Sequence, residues 1–184
     1  TLANPMASCH ARICAIGYEV GEARSRLARA VLDMQPRPKY LFFYGDDNIP
    51  PPNGLRLLLE TQQQTGAPAV AGLYYQKDAP PQVPLLWRNG HAGPLIPGKH
   101  FNLGDVIEVD GTGLDFVLID VEALEKVQRR PLFRTTMEWI EGHGLKMQTE
   151  DAYFWDGWRE VHGKGPLVDT RCRVGHFNER RGAI

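Results

Sequence analysis

The sequence is short of several things. Its longest run of apolar residues is five, Tyr40-Leu41-Phe42-Phe43-Tyr44, where a membrane-spanning helix needs about 20. The first residues carry no basic start followed by an apolar stretch, so no secretory leader is expected. There is no internal repeat and no low-complexity tract. There is no excess of basic charge: 21 lysines and arginines face 22 aspartates and glutamates, for a formal net charge of −1. Nucleic-acid binding usually leaves a basic footprint, so nucleic acid is not an expected partner. Cysteines number only three, Cys9, Cys14 and Cys172. That odd number argues against a secreted disulfide framework and points to a reducing, cytoplasmic setting.

What is present is an ordinary globular composition. The 184 residues, 42% hydrophobic and 23% charged, suit one domain with a buried core. The expected domain spans residues 1–177, followed by a short tail over residues 178–184. Leu27, Ala30, Val31 and Met34 recur at helical spacing, which predicts a helix over residues 21–34, ended by Pro36 and Pro38. Residues 39–44 form a continuous apolar run, as a strand buried on both faces would. Leu55, Leu58 and Leu59 mark a second helix, and residues 68–74 another strand. This alternation predicts an α/β layer fold. Residues 77–102 are proline-rich and irregular. Strands are expected over residues 106–109 and 113–120, a short helix over 121–127, and two closing strands over 166–169 and 172–175. Residues 131–144 give no clear pattern. Thr149 can cap a helix through Phe154, Trp155 and Trp158.

Three places could carry chemistry. Asp46-Asp47-Asn48 directly follows the apolar strand 39–44, at the carboxyl edge where ligands bind in open α/β sheets. Adjacent carboxylates there suit a hard divalent cation such as Mg²⁺ or Mn²⁺, though the same residues also make ordinary turns. Glu150-Asp151 opens an aromatic-rich helix. A carboxylate there can act as a general base or simply favour the helix dipole. His176 follows the last strand, where a neutral imidazole can ligate a metal or serve as a buried hydrogen-bonding group. A rival set, Cys9, Cys14, Cys172 and His176, has a composition that could hold structural zinc.

The order of these pieces is more specific than any one of them. Residues 40–52, Tyr-Leu-Phe-Phe-Tyr-Gly-Asp-Asp-Asn-Ile-Pro-Pro-Pro, resemble the strand and aspartate motif of nucleotide-sugar glycosyltransferases of the GT-A fold. Val109-Asp110-Gly111-Thr112-Gly113-Leu114-Asp115-Phe116-Val117-Leu118-Ile119 resembles the family's glycine-rich strand beside the donor and acceptor cleft. Thr149-Glu150-Asp151-Ala152-Tyr153-Phe154 resembles its acidic motif, and Val174-Gly175-His176 its final strand with a metal-binding histidine. Glu22-Ala23-Arg24-Ser25 resembles the segment that usually reads Ala-Arg-Asn. The likeness runs over residues 21–177.

The resemblance implies a single GT-A-like α/β domain, with a mostly parallel central sheet flanked by helices and a small antiparallel addition. It implies a metal-dependent, inverting hexosyltransferase that uses a nucleoside-diphosphate sugar and a hydroxyl acceptor such as a glycan, a lipid or a small molecule. Asp47 and His176 would bind the divalent cation (Mn²⁺ or Mg²⁺). Asp151, with Glu150, would stand at the catalytic base. Arg24, Asp46, Asn48 and Gly113 would line the nucleotide and sugar site. Two positions depart from the pattern: Gly45 stands where the family usually has Asp, and Ser25 where it has Asn. The first departure leaves Asp46 or Asn48 to take over, or weakens the metal and ribose contacts. The family's first strand, with the loop that grips the base, would precede residue 1, so the chain is expected to be truncated relative to the family. A non-catalytic nucleotide- or sugar-binding relative is the alternative.

Overall fold

A computed structural model describes residues 11–76, 83–88, 95–142, 144–178 and 182–183. In chain order the elements are α1 (Val20–Leu32), β1 (Tyr40–Tyr44), β2 (Asn48–Ile49), α2 (Gly54–Thr65), β3 (Ala69–Tyr74), β4 (Leu86–Trp87), β5 (Val106–Glu108), β6 (Gly111–Thr112), β7 (Phe116–Asp120), α3 (Val121–Lys126), β8 (Thr136–Ile140), β9 (Gly144–Gln148), α4 (Glu150–His162), β10 (Leu167–Asn178) and β11 (Gly182–Ala183). Among the described residues no helix is long and apolar enough to cross a membrane. The first ten residues, with Cys9, part of the proline-rich segment and most of the tail lie outside the described residues.

The central sheet runs β1-β7-β3-β10, with β2, β5 and β11 also paired to β10. Period-two alternation distributes its side chains between two cores. Leu41 and Phe43 of β1, Ala69, Ala71 and Leu73 of β3, and Val117 and Ile119 of β7 face one cluster. There they meet Ala28 and Val31 of α1, Leu124 of α3, and Phe154, Trp155 and Trp158 of α4. Val70, Tyr74, Phe116 and Leu118 face the other cluster with Leu58 of α2, Cys172 and Val174. Helices thus cover both faces of the sheet, a three-layer arrangement. Each large side chain buried this way stabilises the fold by roughly 1.5–3 kcal/mol.

The expected α/β class holds, but the mostly parallel sheet does not. Among the described strands only β3 and β10 pair in parallel. β7 lies between β1 and β3 and runs antiparallel to both. A continuous apolar run reports burial on two faces, not strand direction. β7 is such a run (Phe116 to Ile119, all buried) and is antiparallel all the same. The two closing strands expected near the end are one strand, β10, whose register against β3 shifts between Asp169 and Arg173. The unclear stretch and the residues just after it form a separate hairpin, β8–β9. Thr149 does take the N-cap position of α4, but its hydroxyl donates to the Asp151 carboxylate instead of accepting a helix N–H.

Candidate metal centre

The aspartate turn leaves β1 at Gly45 and returns at once as β2, which pairs with β10 so that Asn48 faces His176. The Phe177 N–H donates to the Asp47 carbonyl at 2.7 Å. The turn is therefore laced to the end of the chain's last long strand, and this lacing brings Asp47 and His176 together. β7 supplies a third group. Its antiparallel register sets Phe116 opposite Tyr44, so the preceding residue, Asp115, falls beside Gly45. The Gly45 N–H donates to the Asp115 carbonyl at 2.8 Å, and Asn48 Nδ2 donates to the same oxygen at 2.6 Å.

Asp47, Asp115 and His176 each offer one ligand atom, all within 4.8 Å of one another. Asp47 and Asp115 are half-buried and His176 is buried. Protein ligands stand at about 2.0–2.6 Å from a divalent ion, so atoms this close converge on one cation with small side-chain adjustments. His176 Nδ1 lies 2.7 Å from the Tyr75 carbonyl oxygen. A carbonyl only accepts, so Nδ1 carries the proton and Nε2 presents its lone pair. This is the outer hydrogen bond that metal-ligating histidines commonly make. The imidazole also packs edge-on to the Tyr74 ring, with centroids 5.4 Å apart. Two carboxylates and an imidazole form a donor set that could hold a divalent cation. A further observation favours an occupant: Asn48 Oδ1 is buried without a hydrogen-bond partner among the described residues. Such an orphaned acceptor costs about 1–3 kcal/mol unless something donates to it or ligates through it.

Asp115 is absent from the ligands expected from sequence. The signal was available, an acidic residue opening an otherwise apolar strand, but only the β1–β7 register shows what it faces. That register also accounts for Gly45. A Cβ built there would stand 2.9 Å from Asp115 Cβ and 3.1 Å from Asn48 Nδ2. Gly45 leaves the space that the Asp115 side chain fills, and Asp115 adds its carboxylate to those of the turn. Asp46 is exposed and stands outside the three-ligand group.

Arg24 of α1 is 7% exposed. One end of its guanidinium donates to Asp115 Oδ1 and the other to Glu150 Oε1. It thus reaches the site from beneath and ties β7 to the first turn of α4. Ser25, on the same helix, exchanges hydrogen bonds with the backbone of Phe133, both at 3.1 Å. Burial pushes the Glu150 carboxyl above its ordinary range, against the pull of Arg24. Of the two acids expected as catalytic, Glu150 is committed to Arg24. Asp151, half-buried beside it, accepts from the Thr149 hydroxyl and from the Ala152 N–H at 2.8 Å. Asp151 also lies within electrostatic reach of Arg24 and Tyr74.

Gly113, expected at the nucleotide and sugar site, lies against Tyr74 and Leu85. It is buried, and a Cβ there would come 1.6 Å from Tyr74 Oη and 2.7 Å from Leu85 Cδ2. Its lack of a side chain permits this close packing. The zinc set also fails to assemble among the described residues: Cys14 is exposed, Cys172 is buried, and neither joins a three-ligand group. Burial pushes the Cys172 thiol up to about 12, as for an inert structural thiol.

No family model matches the sequence, and no curated protein is significantly similar to it. Among solved structures, the crystal structure of A197 from STIV is similar with a TM-score of 0.59 at 24% sequence identity. The match covers 90% of this chain and 71% of that one. At that identity the likeness is one of fold, and the chemistry rests on the residues described above.

Proposed function

We propose that the chain is a metal-dependent glycosyltransferase that moves a hexose from a nucleoside-diphosphate sugar to a hydroxyl acceptor. The observation that carries this reading is the convergence of Asp47, Asp115 and His176, with the acidic start of α4 tied to them through Arg24. When bound, a divalent cation supplies electrostatic stabilisation of the charge that develops on the departing diphosphate. Asp47 and Asp115 would hold it through carboxylate oxygens and His176 through Nε2. Asp46, exposed next to Asp47, and Asn48, with its unpartnered amide oxygen, are the groups assigned to the donor's sugar hydroxyls.

Asp151 takes the role of general base, because Glu150 is engaged by Arg24. The acceptor oxygen attacks the anomeric carbon as the bond to the diphosphate breaks, and the acceptor proton passes to Asp151. Attack from the face opposite the leaving group inverts the anomeric centre.

Calorimetry with Mn²⁺ and a panel of sugar nucleotides tests the reading, on the wild type and on Asp47→Ala and His176→Ala. Cation-dependent nucleotide binding that both substitutions abolish supports it. No binding, or binding indifferent to both, overturns it. Donor binding without release of nucleoside diphosphate, with acceptor and Mn²⁺ present, makes the chain a binding protein instead.

A further inference from the structure

Arg24 is a buried cation placed against a candidate cation site, and simple electrostatics would call that a defect. Two like charges in a half-buried setting repel. The geometry explains why the arginine is there. Asp115 directly precedes β7, with its backbone held from three directions. Gly45 N–H and Asn48 Nδ2 donate to its carbonyl, and its own N–H donates to Tyr74 Oη at 3.3 Å. Those bonds fix the backbone and leave the carboxylate to rotate. Arg24 takes Oδ1 with one amino group while its other amino group is anchored on Glu150. A guanidinium is a rigid planar fork, so anchoring one arm fixes the direction of the other. The Glu150 anchor is itself buried, at the first turn of a helix whose Phe154, Trp155 and Trp158 are fully buried.

We infer that Arg24 is a positioning residue for the cation site: it holds the Asp115 carboxylate in the orientation that makes Asp115 a ligand, and it references that ligand to the start of α4. The inference rests on the cation reading above and adds a direction of effect that a mere counter-charge would not give. If Arg24 only neutralised the carboxylates, removing it would tighten cation binding. As a positioning residue, its removal weakens binding despite the loss of repulsion.

The test is Mn²⁺ binding to the whole chain without nucleotide, followed by the electron paramagnetic resonance of the free ion. The variants are Arg24→Gln/Glu150→Gln, Glu150→Gln alone and Arg24→Lys. The double substitution removes both charges of the buried pair, so neither is left unpaired. Expected results are a loss of affinity of at least tenfold in the double variant and a change within about threefold in Glu150→Gln, which keeps an oxygen that can accept the Arg24 bond. Arg24→Lys keeps the charge but not the fork, and is expected to weaken binding by at least fivefold. Circular dichroism confirms folding, and Arg24→Lys decides the matter if the double variant does not fold. Wild-type binding that is equalled or exceeded by the double variant or by Arg24→Lys overturns the positioning role alone. Absence of Mn²⁺ binding in the wild type overturns the cation reading and this inference together.

Discussion

Gly45 backs directly onto Asp115: the glycine N–H donates to the aspartate carbonyl, and a Cβ on Gly45 would lie 2.9 Å from the aspartate Cβ. The contact sits where β1 ends and β7 begins, so neither backbone can retreat without breaking the ladder between them. Gly45→Ala is therefore expected to displace the Asp115 side chain. Overpacking of this kind costs about 1–3 kcal/mol, and Mn²⁺ affinity should fall by roughly tenfold. Urea unfolding and calorimetry measure the two effects. Unchanged affinity would mean that the Asp115 carboxylate is not held by this contact.

Gly113 and Tyr74 make a still closer approach, 1.6 Å from an added Cβ to the phenol oxygen. Tyr74 is 1% exposed and has nowhere to go. Gly113→Ala should cost about 3 kcal/mol or more, and adding Tyr74→Phe should recover part of the loss. Full stability in the single variant, by thermal melting, would refute the packing role.

Asp169 gives the fold a defined acid sensitivity. It is fully buried, which by itself would raise its pKa. Hydrogen bonds outweigh that effect: Arg171 donates through its side chain at 2.6 and 2.9 Å and its backbone N–H at 3.0 Å, and Thr61 donates at 2.7 Å. The net pKa is lowered, so the unfolded chain takes up this proton first as pH falls. The contribution is fully present above the unfolded value of about 3.9 and is lost as pH drops through the depressed native value. Asp169→Asn should lose about 1.5–3 kcal/mol at pH 7 and show a shallower decline in stability below pH 5. Urea titrations across pH 3–7 would reveal the difference, and parallel curves would contradict it.

The hairpin β8–β9 carries Met137 opposite Met147 and Trp139 opposite Leu145. All four are exposed, Trp139 at 73%. Trp139→Ser should change the unfolding free energy by no more than about 0.5 kcal/mol. A loss of several kcal/mol in chemical denaturation would show that the hairpin packs where the geometry leaves it open.

Asp151 and Glu150 are expected to separate. Asp151→Asn should abolish transfer while Mn²⁺ binding stays within about threefold of wild type, because Asp151 lies outside the ligand group. Asp151→Asn with full activity would remove it from the chemistry.

Local pattern explains which elements could be read from the chain. Leu27, Ala30, Val31 and Met34 announced α1, and the apolar runs announced β1, β3 and β7 within a few residues. β8–β9 was obscured because its alternating apolar residues face outward, so periodicity there does not mark a core. Asp47 and His176 stood out because each follows a stretch that reads as a strand in the sequence, although His176 lies within β10. Asp115 did not, because its neighbours in space, Gly45 and Arg24, are set by strand register and helix placement.

The sequence by itself determined the layered α/β class, the positions of most strands and helices, and the residue types able to hold a cation. Those follow from short-range periodicity and side-chain chemistry. Only the tertiary structure decided that β7 inserts antiparallel between β1 and β3, that Asp115 completes the group begun by Asp47 and His176, and that Arg24 fastens it to α4. The physical reason is that hydrophobic patterning encodes which faces are buried. The order, direction and register of strands are settled by contacts between residues far apart in the chain.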